Sequence, residues 1–140
     1  GMQRFIGIED EGEQRTLASG LALNFIPAHF LHSPGQINVY DPVSKILFSG
    51  DVGASMVPED DCEIFVDNFT EHLKFTEGFH KRYMASNRAL RFWVEQVRKL
   101  DVDIIAPQHG PVYKGQAKED FLNWLYDLPC GSDLLALESD

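Results

Sequence analysis

Three side chains in this sequence have types that suit metal chemistry: His32 at the head of an H-S-P-G turn, Asp51 closing F-S-G-D, and His109 in A-P-Q-H-G. Neutral imidazoles and a carboxylate are good donors to zinc or iron, and a carboxylate has two oxygens with which to bridge neighbouring cations. Each residue sits just after a short apolar run or at its approach. The loops that follow strands are where α/β proteins gather reactive groups. Plainer tasks suit the same residues: His32 can cap a turn, Asp51 can N-cap the next segment, and His109 can be an ordinary loop histidine. Spacing alone leaves both readings open.

The elements that must position these loops divide the chain in two. The first half offers short β-branched or aromatic runs, R-F-I-G-I, L-A-L-N-F-I, I-N-V-Y and K-I-L-F-S, separated by Glu/Gly-rich or Pro/Gly-containing turns. In D-P-V-S-K, Pro42 presets a turn after Asp41, and Lys45 reopens an extended run that ends at Ser49-Gly50. Beyond Glu59 an acidic loop leads into I-F-V-D-N-F-T-E-H-L-K-F, with a break expected at Gly78 and a helix from about Lys81 to Lys99. Leu90, Trp93, Val94, Val97 and Leu100 recur at three- and four-residue spacing, which gives that helix one apolar face. The run V-D-I-I-A-P reads as a buried strand ending before His109, and a last helix is expected over roughly Ala117 to Tyr126. The tail G-S-D-L-L-A-L-E-S-D is expected to be weakly helical or mobile. Several antiparallel strands, then helix, helix, strand and helix, make an α/β arrangement with a sheet covered on one side.

Composition narrows the possible partners. At 140 residues and 44% hydrophobic content the chain has the material for one core. A formal charge of −10 disfavours nucleic acid and anionic membrane surfaces, whose phosphates call for clustered Lys and Arg. The local exception is Lys81, Arg82, Arg88, Arg91, Arg98 and Lys99, which read as a solvated helix face. No run of about 18 apolar residues suggests a membrane span, and no signal peptide is readable, so a cytoplasmic location is expected. Cys62 and Cys130 form no C-x-x-C or Cys/His cluster, and both read as ordinary reduced thiols. Gly1 before Met2 looks like a tag scar, leaving residues 2–140 as one domain segment.

Taken together, P-A-H-F-L-H-S-P-G-Q-I-N-V-Y-D-P-V-S-K-I-L-F-S-G-D and the later I-I-A-P-Q-H-G resemble the second half of the metallo-β-lactamase fold. The stretch from Glu71 to Gly110 is most similar to the diiron, oxygen-reacting branch, the flavodiiron proteins and their flavin-lacking relatives. The resemblance implies half of an αββα sandwich, with a mixed, largely antiparallel sheet and helices on one face. It further implies that His32 binds one metal, His109 the other, and that Asp51 bridges them. His29, three residues before His32, and His80 and Tyr83 in G-F-H-K-R-Y-M are candidates for supporting or pocket-lining roles, with core packing the plainer task for Tyr83. His72 fits an exposed helix position.

The family's H-x-[HE]-x-D-H motif does not occur in these 140 residues. The chain therefore reads as the C-terminal half of the domain, with one histidine for each metal and one shared carboxylate. Stable sites usually use three or four protein donors. An empty or substoichiometric site is thus expected for the isolated chain, with a homodimer or an N-terminal half completing it. The function implied is that of a fragment or stand-alone half of a non-haem diiron protein that binds or reduces dioxygen, without flavin. Two alternatives come with it: a zinc metallohydrolase of the hydroxyacylglutathione hydrolase kind, and a metal-free interaction module.

Overall fold

A computed structural model describes residues 5–136. Six strands form one sheet in chain order: β1 (Glu13–Thr16), β2 (Ala22–Pro27), β3 (Ile37–Asp41), β4 (Ile46–Gly50), β5 (Ile104–Pro107) and β6 (Tyr113–Lys114). All neighbours are antiparallel except β4 and β5, which run parallel because two helices intervene between them. The β3–β4 turn forms as its residue types predict. Asp41 accepts through Oδ1 from the Val43 N–H (2.9 Å) and through its carbonyl from the Lys45 N–H (2.8 Å), with Lys45 at a positive φ of 59°.

The first expected strand does not form. Arg4 lies outside the described residues, and residues 5–8 are irregular, with Phe5 91% exposed. The edge strand is instead β1, E-Q-R-T, in a stretch that reads as a turn. An edge strand open to water can be polar throughout, so its apolar alternation is missing. Gln14 Nε2 donates to Asn24 Oδ1 across the pair at 3.0 Å.

Helices α1 (Phe69–Tyr83), α2 (Asn87–Arg98) and α3 (Gly115–Asp127) follow. The single helix expected from Lys81 to Lys99 is two helices, and Gly78 lies inside α1 rather than breaking it. The true stop is the extended backbone from Met84 to Ser86. Ser86 then N-caps α2 by accepting from the Ala89 N–H at 3.3 Å. Asn68 caps α1 in the same way, accepting from the Glu71 N–H at 3.2 Å.

Successive strand residues face opposite sides of the sheet. Asn38, Tyr40, Leu47, Ser49 and Ile105 are buried on one face. There Trp93 Nε1 donates to Asn38 Oδ1 at 2.6 Å, which ties α2 to β3. Leu90, Trp93, Val94 and Val97 are all buried, as the spacing predicts. On the other face Phe25, Val39, Phe48 and Ala106 lie in one cross-strand row, and Phe48 is 50% exposed. Among the described residues the sheet is therefore covered on one side only.

The α1–α2 junction is also where the chain's last described turn docks. Ala85 donates through its N–H to Phe30 O (3.2 Å) and accepts from the Ser132 N–H (2.9 Å). The tail forms a single helical turn at Gly131–Leu134, and residues 137–140 of the expected helical tail lie outside the described residues. Among the described residues no helix is long and apolar enough to cross a membrane.

Candidate metal centre

The loop from Ala28 to Gln36 carries His32 and closes on itself: the Ala28 N–H donates to Gln36 O (2.9 Å) and the Phe30 N–H to Ser33 O (2.8 Å). Leu31, fully buried, anchors the loop in the core, and the Leu31–His32 peptide is cis. His32 itself is exposed, and its Nε2 lies 3.2 Å from Asp51 Oδ2. Asp51 follows the end of β4, and its carboxylate is only partly shielded. These two predicted residues meet.

His109 is exposed on the loop after β5. That loop is hydrogen-bonded on both sides of Asp51: the Gln108 N–H donates to Gly50 O (2.7 Å), and the Ser55 N–H donates to His109 O (3.2 Å). Gly110 permits this approach at a φ of 85°, since a Cβ there would stand 2.1 Å from Ser55 Oγ. All three loops thus lie at one rim. Among the described residues, however, no group of three or more His, Cys, Asp or Glu side chains is placed to hold a metal ion. His109 borders a cavity of about 350 Å³ whose wall includes Ala54, Ser55, Met56, Cys62 and Phe79.

The other histidines and Tyr83 differ from expectation in instructive ways. His29 Nε2 is 3.0 Å from Asp10 O, so its ring is engaged away from His32. His80 does not line a pocket but is fully buried, and burial pushes its pKa down to about 4. Its Nε2 accepts from the Gly53 N–H at 2.9 Å, so that nitrogen is not free to act as a ligand. His72 is not exposed either. It is buried against Tyr113 and Phe75, its pKa is lowered by burial, and its Nε2 has no hydrogen-bond partner. Both histidines belong to the inward face of α1, with Phe69 and Thr76, where positions 69, 72, 76 and 80 follow helical spacing. Polar types at three of those positions, 72, 76 and 80, hide the inward stripe from an apolar pattern. Tyr83 is the converse case: it is 53% exposed, not core, and its ring centre lies 5.8 Å from that of His32.

The chain resembles known proteins in family and fold. The family model described as ODP family beta lactamase matches residues 1–110. Chemotaxis sensor ODP, solved as a peroxy diiron species, is 50% identical, with a TM-score of 0.85 over 92% of this chain and 54% of that one. Its apo state, from T. denticola, superposes with a TM-score of 0.84 over the same shares. The flavodiiron protein from Giardia intestinalis shares the fold at 20% identity, with a TM-score of 0.73 over 86% of this chain and 29% of that one. Among curated proteins, MJ0732 of Methanocaldococcus jannaschii, an uncharacterized protein, is 30% identical over 115 residues, 80% of this chain and 28% of its own length. The chain thus spans about half the length of the ODP structures. Its fold is that of a partial metallo-β-lactamase-like domain.

Proposed function

For a chain that belongs to the ODP family of beta-lactamase-fold proteins, we propose that it contributes one half of a non-haem diiron centre that binds dioxygen, with His32 and His109 as ligands to separate irons and Asp51 as the bridge. The observation that carries this reading is the approach of His32 Nε2 to Asp51 Oδ2 at 3.2 Å, on the rim where the His109 loop is hydrogen-bonded to Gly50 and Ser55. A neutral imidazole and a carboxylate with two oxygens fit a pair of iron ions, and the partial exposure of both side chains leaves them reachable by a further donor segment. When bound, the irons would supply the electrons and the open coordination positions that dioxygen needs.

The chain's own residues do the rest. The strand ends hold two of the donors in contact, and the half-exposed Tyr83 ring screens one side of His32. The donors that this half lacks come from a segment equivalent to the rest of the ODP domain or from a second copy of the chain. The open row Phe25, Val39, Phe48 and Ala106 is the surface it would cover. Residues 2–140 thus act as a C-terminal half-domain, without flavin.

Elemental analysis after careful desalting tests the reading. The isolated chain is expected to hold less than one iron, and full loading to two irons is expected only after a donor segment is added. Two tightly held irons per isolated chain would overturn the half-site assignment, and no iron with any donor segment would overturn the diiron reading itself.

A further inference from the structure

The turn that carries Asp51 is gripped by side chains that never reach the rim. The backbone from Val52 to Ala54 makes four hydrogen bonds with fully buried side chains, accepting three and donating one. Ser49 Oγ donates to Val52 O (2.6 Å), Tyr113 Oη to Gly53 O (2.8 Å) and Thr76 Oγ1 to Ala54 O (2.7 Å), while His80 Nε2 accepts from the Gly53 N–H (2.9 Å). A backbone N–H can only donate, so Nε2 carries the lone pair and the ring proton sits on Nδ1, 2.8 Å from Thr76 O. Gly53 has a φ of 95°, and a Cβ there would stand 3.0 Å from Tyr113 Cε2, so the turn fits only as glycine with Tyr113 closed over it. These contacts come from β4, α1 and β6, three separate elements converging on the residues that follow one carboxylate.

We infer that His80, Thr76 and Tyr113 are positioning residues for Asp51: they fix the turn that aims its carboxylate at His32, and through it the geometry of the metal site. The inference rests on the diiron reading for its purpose but not for its geometry. Buried groups with no hydrogen bond left unmade hold one arrangement firmly, because each lost partner strands another polar atom. Replacing groups that orient a ligand without touching the metal typically weakens metal affinity about 10- to 100-fold.

The test compares His80→Ala, His80→Gln and Tyr113→Phe with Val97→Ala, a buried substitution on α2 that touches none of these hydrogen bonds. Nuclear magnetic resonance of the metal-free chain reads hydrogen exchange at the Gly53 amide and the ring signals of His32. The expected result is faster exchange and displaced His32 signals in His80→Ala and Tyr113→Phe, at most small changes in Val97→Ala, and recovery in His80→Gln, whose amide can both accept from Gly53 and donate to Thr76. Changes in His32 no larger than those of Val97→Ala would overturn the inference. If His80→Ala fails to fold, Tyr113→Phe decides it alone. In a second arm, ferrous ion is titrated anaerobically, and about a tenfold or greater weakening that His80→Gln reverses is expected. If no variant and no parent chain binds ferrous ion even with a donor segment added, the diiron reading falls, and the resonance signals still decide whether the clamp exists.

Discussion

At the scale of single residues, environment separates side chains that share a type. Cys62 is exposed, whereas Cys130 is buried and its thiol is pushed up to about 11, chiefly by burial. A thiol must ionise and be reached to react. Titration with a disulfide reagent should therefore show one fast thiol in the folded chain and the second only on unfolding, and Cys62→Ser should remove the fast phase. The buried histidines carry a pH signature. His80 has a folded-state pKa near 4 against an unfolded value near 6.5, so between these the unfolded chain binds the extra proton. Stability should be full above about pH 6.5 and fall as the pH drops toward 4, by on the order of 3 kcal/mol from this group, with His72 shifted in the same direction. Urea midpoints at pH 7 and pH 4.5 check this, and His80→Gln should flatten the difference. The approach of His32 to Asp51 was legible in the sequence because their turn and strand-end settings are local. The contacts of Thr76 and Tyr113 were not, because nothing short of tertiary packing brings residues 113 and 76 to the backbone carbonyls of residues 53 and 54.

Among the elements, legibility follows the hydrophobic stripe. Strands β2 to β5 and the inner face of α2 carry apolar alternation or three- and four-residue spacing, and all form where expected. The α1–α2 break was missed because its signal is one serine: Ser86 ends the extended stretch and caps the next helix. Ser86→Ala should cost about 1 kcal/mol, measured by thermal or urea unfolding. Trp93 is fully buried on α2 and bonded to Asn38 beneath the sheet. Trp93→Ala should cost roughly 3–5 kcal/mol, since it removes a large aromatic and strands the Asn38 side chain. A loss below about 0.5 kcal/mol would be on the scale of an ordinary surface change and contradict the packing described.

For the whole molecule, the uncovered sheet face is the feature expected to govern association in solution. An apolar row with Phe48 half exposed should drive association at high concentration, and Phe48→Glu should reduce it, as read by sedimentation velocity. The helix junction has a different consequence. Ala85 holds the His32 loop through one peptide group and the turn at residue 132 through the other, while the Asn87 N–H and the Cys130 N–H both donate to the Asp133 carboxylate. Position 132 is thus coupled to position 30 across a single residue, so the last described turn acts as a brace on the loop that carries His32. Proteolytic trimming after Pro129 would loosen a histidine almost a hundred positions upstream without touching anything near it in sequence.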